Sequence, residues 1–204
     1  PFGNYLAKLA TKILPEKAEE KEHHKHLKYI KSVDTRVDAT FGTSAINLQN
    51  LRNEIQRMLE MARVNVEESF DAFLAGSSRF LGDVDKREDY IDYLNKEISR
   101  AAAKMMAHET NVKASKNIGS YLDMTSNMER IRDHADNICD YTKLIEEKHI
   151  VISDDAKQQM EEMKMICEKM FHNISKVPED TQEWLQKVHD SENFIDQKTE
   201  EFYE

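Results

Sequence analysis

Apolar residues recur at spacings of three and four through most of this chain, a pattern that only helices with one buried face satisfy. Leu48, Leu51, Ile55, Met58, Ala62 and Val66 predict a helix from about Ser44 to Leu74. Ile91, Leu94, Ile98, Ala101 and Met105 predict a second, from about Val84 to Ala107. A third, from about Thr110 to Glu147, turns Met124, Met128, Ile131, Ala135, Ile138 and Leu144 or Ile145 inward. Ala156, Met160, Met163, Ile166, Met170 and Ile174 carry the spacing through a fourth, and Trp184, Leu185, Val188, Ile195 and Phe202 through a fifth. Gly76-Ser77-Ser78 and His149-Ile150-Val151-Ile152 supply breaks. Ser153-Asp154-Asp155 reads as an N-cap with acids at the positive helix end, and Pro178 fits a helix start. Helices of this kind bury their stripes against one another, so the expected fold is all-α and built from antiparallel bundles.

Beside the third stripe runs a row of acids. Glu129, Asp133, Asp136 and Asp140 follow one another at four, three and four residues. Such neighbours share a helix face, and each like-charged pair costs roughly 0.2–0.5 kcal/mol. A hard cation held by oxygen ligands is the simplest compensation. A solvated acidic face is the plain alternative.

The acidic pattern recurs. Glu88-Asp89-Tyr90-Ile91-Asp92 and Glu192-Asn193-Phe194-Ile195-Asp196 both read Glu, polar, aromatic, Ile, Asp, at an offset of 104 residues. That length suits three helices per repeat. On this reading residues 44–150 form a first three-helix bundle, and residues 151–204 the first two helices of a second, truncated repeat.

Composition narrows the function classes. A net charge of −10 argues against a phosphate-backbone nucleic-acid binder. No apolar run approaches the roughly 20 residues that span a bilayer. Cys139 and Cys167 lack metal-finger spacing and read as buried thiols. No glycine-flanked serine or phosphate-cradling glycine loop is present, so no enzyme is expected. A di-iron bundle enzyme needs two Glu-x-x-His pairs, and within the bundle helices only Glu146 and His149 supply one. The ten methionines fall mostly on core stripes, where flexible packing explains them.

Ahead of the bundle, residues 1–15 set Phe2, Leu6, Leu9, Ile13 and Leu14 against Lys8 and Lys12, an amphipathic segment able to lie on a membrane. Residues 16–43 read as a charged linker. Its Glu22-His23-His24-Lys25-His26 cluster is more simply solvated than metal-binding, because lysine interleaves it.

Met128 to Ile138 resembles the Leu-Glu-Arg-Ile-Gly-Asp-His-Ala-Glu-Asn-Ile signature of the phosphate-uptake regulator (PhoU) family, and Glu88 to Asp92 resembles its preceding acidic motif. The resemblance implies two repeats of an antiparallel three-helix bundle with divalent-metal or iron clusters on acidic surface motifs. It maps Glu88 and Asp92 to the first acidic pair, and Glu129, Asp133, Asp136 and Asn137 to the second motif. Glu192 and Asp196 map to the acidic pair of the second repeat. Arg132 stands where the family usually has glycine, and its guanidinium supplies part of the countercharge that a metal would otherwise supply.

Pro1 to Leu9, with Ile13-Leu14-Pro15, is similar to the exit from the last membrane segment of bacterial Na/Pi cotransporter family proteins, in which a PhoU-like domain follows on the cytoplasmic side. The stretches His26 to Ile30, Asp34-Thr35-Arg36 and Ser44-Ala45 are similar to their connector into the first bundle helix. The expected protein is then a regulatory domain on the cytoplasmic face of the inner membrane. It is covalently preceded by a membrane domain that handles sodium and phosphate, and a homo-oligomer is compatible with it. A free-standing regulator docking on a transporter ATPase or a sensor kinase is the alternative.

Overall fold

The computed structural model describes residues 25–30, 43–175 and 181–203. The amphipathic segment at 1–15, most of the expected linker and the Pro178 helix start lie outside the described residues, as do the side chains of Trp184, Leu185, Val188 and Phe202. Among the described residues five α-helices follow in order: α1 (Thr43–Ala75), α2 (Val84–His108), α3 (Val112–Lys148), α4 (Asp154–Ser175) and α5 (Thr181–Tyr203). A short 3-10 turn, Ser78–Phe80, separates the first two. No strand occurs among the described residues, so the all-α expectation holds.

Several of these helix ends have a local cause. Gly76 takes the left-handed conformation (φ 60°) that closes α1, and His149 (φ 52°) does the same for α3. Asn111 Oδ1 accepts from the backbone N–H groups of Lys113 and Ala114 at the start of α3. Ser153 Oγ accepts from Ala156 N at 3.2 Å, as its N-cap reading requires. The turn before α2 is tied back to α3, where Glu146 accepts from Ser78 N at 3.0 Å.

Helices α1, α2 and α3 each pack on the other two, forming a three-helix bundle. Its centre is Leu51, Met58, Ile91, Leu94, Ile98 and Ile118, all removed from solvent. Burying a side chain of that size is worth roughly 1.5–3 kcal/mol of transfer free energy. Helix α4 joins at α1, where Val66, Phe70 and Ala135 meet Phe171. Helix α5 packs on α4 alone among the described residues. Between them lies an open groove of about 790 Å³, lined in part by Met165, Ile166, Met170 and Phe194.

The α1 and α2 stripes face inward as expected. On α3 the buried row differs: Met124 and Leu144 are exposed, while Thr125 and Thr142 are buried. Both threonines return their hydroxyl hydrogen to their own helix, Thr125 to Leu122 O at 2.8 Å and Thr142 to Ile138 O at 2.9 Å. Satisfied in this way, a hydroxyl carries little burial penalty and the smaller side chain lets helices approach. Ile174 on α4 is likewise exposed, and Phe171 takes the core position.

Part of the expected linker is docked rather than free. Lys25–Ile30 lies against the bundle with Ile30 buried and Leu27 packed on the same core cluster. Glu54, wholly buried on α1, accepts from Tyr29 N at 2.5 Å and from Arg57 Nε at 3.0 Å. Arg57 donates onward to His26 O (2.8 Å) and to the Tyr90 hydroxyl (3.1 Å) on α2. Tyr90 in turn donates to His26 O at 3.0 Å, and Lys25 pairs with Asp89 at 3.3 Å. One glutamate, one arginine and one tyrosine therefore hold this strap to two helices at once.

Candidate functional site: an acidic cluster closed by an arginine

Most of the acids named from sequence sit on α2 and α3, and packing brings four of them to one point. Glu88 and Asp92, one turn apart on α2, face the stretch of α3 that carries Asp133 and Asp136. The point is held by Arg132. Its Nη1 lies 2.5 Å from Asp92 Oδ1 and 3.5 Å from Glu88 Oε1. Its Nη2 donates to Asp133 Oδ1, and its Nε lies 3.9 Å from Asp136 Oδ2. Nε itself is buried and makes no hydrogen bond.

The exposures are ordered from the inside out. The Arg132 side chain keeps only 13% of its surface, whereas Asp136 keeps 27% and Asp133 54%. Burial works to lower the arginine's pKa, but the hydrogen bond to Asp133 and the charges of Asp92, Asp133 and Glu88 outweigh it and raise it above its ordinary value. Asp136 is pushed up to about 7, first by burial, then by the charge of Glu88 and a hydrogen bond with it; Arg132 pulls the other way. The cluster therefore has one fixed cation and one carboxyl that titrates near neutrality.

The remaining candidates fall outside this convergence. Glu129 is on α3 but accepts from Asn95 Nδ2 of α2 at 2.7 Å. Asn137 is exposed on α3. Asp140, the last of the acidic row, pairs with Lys143 at 3.2 Å, so the row is relieved by lysine at that end. Glu192 and Asp196 are exposed on α5, with Glu192 3.9 Å from His189 Nδ1. Among the described residues α5 touches neither α2 nor α3, so the two acidic pairs are not brought together.

The arrangement offers no open cation position. The carboxylates turn toward a guanidinium, and among the described residues no group of three or more His, Cys, Asp or Glu converges to hold an ion. In this geometry the cluster and a divalent metal do not fit together. Nucleophilic chemistry finds no support in the cysteines either. Burial and the charge of Asp136 push the Cys139 thiol up to about 11, and burial also raises Cys167. Glu146, half of the Glu-x-x-His pair on the bundle helices, is committed to the backbone of Ser78.

Two participants escaped the sequence reading. Asn95 lies between core residues Leu94 and Ile98 and reads as an ordinary polar helix position. Tyr90 sits within the Glu88–Asp92 motif but points its hydroxyl to the strap. Glu54 and Arg57, three apart and interrupting the apolar stripe of α1, were the signal for the latter network.

The family model for the PhoU domain matches residues 55–142, spanning the later part of α1, all of α2 and most of α3. The matched region thus contains the Arg132 cluster. No curated protein and no solved structure matches the chain.

Proposed function

We propose that this chain is the cytoplasmic regulatory domain of a sodium-dependent phosphate transporter, joined on its N-terminal side to the membrane part that carries the ions. One observation carries the reading. The strap Lys25–Ile30 enters the bundle at Asp89 and Tyr90, within the same turn of α2 that presents Glu88 and Asp92 to Arg132. A shift of the strap would tilt that turn and alter how its acids meet α3. In the other direction, a change at the cluster would pull on the strap. Coupling of this kind is reciprocal, and it requires two states that a ligand or partner binds with different affinity.

The similarity of residues 1–9 and 13–15 to a membrane exit supports attachment to a transporter over a free regulator. No helix among the described residues is long and apolar enough to cross a membrane, so any spanning part belongs to sequence outside them. The role assigned to this domain is to bias transport, with no bond made or broken in it.

The test begins with the native gene product, detected by an antibody against this segment. A large polypeptide that needs detergent for release supports the transporter. Phosphate uptake in cells carrying Glu54→Ala should then lose part of its response to external phosphate. A soluble product little longer than this chain would replace the reading with a regulator that docks on a transporter ATPase or a sensor kinase.

A further inference from the structure

We propose that Arg132 is the resident cation of the acidic cluster, its guanidinium occupying the position a divalent ion would need, so that the natural chain binds no metal there. The inference starts from the order of layers. Arg132 is the innermost member and the carboxylates stand around it, with Asp92 and Glu88 on one nitrogen, Asp133 on the next and Asp136 beside the third. An ion bound by these acids would have to displace the guanidinium or lie within a few ångströms of it. The second arrangement sets two cations side by side, and the repulsion scales with the product of their charges.

The chemistry of arginine suits the task. A guanidinium presents its donors in a rigid fork, so one side chain can meet carboxylates on two helices simultaneously. It keeps its charge across the physiological range. Unlike an exchangeable ion, it is delivered by the fold itself. The register makes it specific: Glu88 and Asp92 are one turn apart on α2, and Arg132 and Asp136 are one turn apart on α3. The guanidinium therefore acts as a cross-helix staple in which countercharge and attachment are the same group. Nothing in this assignment depends on whether the domain is joined to a transporter.

The experiment measures Mn2+ and, under anaerobic conditions, Fe2+ binding to the 204-residue chain by equilibrium dialysis, with helix content followed by circular dichroism. The natural chain should bind no more of either ion than Asp92→Asn does. Arg132→Gly and Arg132→Gln should each gain at least tenfold in affinity, and adding Asp92→Asn should abolish the gain. Arg132→Lys, which keeps a cation in place, should stay like the natural chain. Stoichiometric binding by the natural chain that Asp92→Asn removes would overturn the proposal, and this arm needs no Arg132 variant to fold. Absence of any gain in folded Arg132→Gly or Arg132→Gln would overturn it equally.

Discussion

Arg57 and Arg132 both join helices in this bundle, and they are used in opposite ways. Arg57 meets one buried carboxylate, one phenol and one carbonyl, so its charge is balanced one to one and its donors are aimed at fixed acceptors. Burial works against the Arg57 charge, but Tyr90 and Glu54 outweigh it and raise its pKa. Arg132 faces four carboxylates and leaves Nε without a hydrogen bond. The first network is complete and serves attachment. The second is outnumbered in charge, partly open to water and poised around neutral pH. The same side chain makes a balanced joint when its partners match its charge and an unbalanced one when they exceed it.

The comparison can be broken most severely at Glu54. Glu54→Ala leaves the Arg57 charge without its carboxylate and removes the acceptor for Tyr29 N, and breaking a buried pair in this way costs about 3–5 kcal/mol. Urea unfolding should show that loss, and limited proteolysis should show cleavage near Lys25–Ile30. Loss of no more than a surface pair's worth would mean the strap is not held by this carboxylate.

Arg132→Ala should be milder, about 1–2 kcal/mol, because water reaches the acids it pairs with. What distinguishes it is salt. Repulsion among the uncovered carboxylates is screened at high ionic strength, so the deficit should shrink between low and high salt. The Glu54→Ala deficit should not.

A smaller effect sharpens the contrast through pH. Asp136 is an acid held above its ordinary value, so between 3.8 and about 7 the folded protein binds a proton that the unfolded chain has released. Stability from this group is therefore present at low pH and lost as pH rises through that window. Asp136→Asn should stabilise the protein more at pH 8 than at pH 5 in paired unfolding curves. A pH-independent difference would remove Asp136 as the titrating member.

The least change is expected at the exposed side of the α1–α4 contact. Lys164 pairs with Asp71 at 2.5 Å and with Glu168 at 3.6 Å, but the acids are open to solvent. Lys164→Met should shift stability by about 1 kcal/mol or less. Retention of the Phe171 packing can be followed by NMR.

Much of the fold was legible before the structure. The stripes of α1 and α2, the Ser153 cap and the break at His149 all rest on interactions within a few residues. The α3 row was misread where apolarity was the guide, since Thr125 and Thr142 are buried by satisfying their hydroxyls within the helix. Glu54 was missed for a related reason. A buried carboxylate is acceptable only because Arg57 and the strap backbone meet it, and the strap arrives from a distance of some 25 residues in sequence. At the site, residue identities were readable but their grouping was not. Glu129, Asp133 and Asp136 read as one row along a helix, yet Glu129 turns to Asn95 while the others turn to Arg132.

By itself the sequence determined the helices, the buried faces of α1 and α2 and the acids on α2 and α3, because periodicity and capping are properties of residues three and four apart. Only the tertiary structure decided that Arg132 would stand among those acids. Its partners Glu88 and Asp92 lie 44 and 40 residues away and reach it through the register of α2 against α3. That register is set by the core between the helices, where Ile91, Leu94, Ile98 and Met128 pack. An ion pair across helices is thus a consequence of hydrophobic packing, which fixes distance, and of charge, which then finds its partner within it.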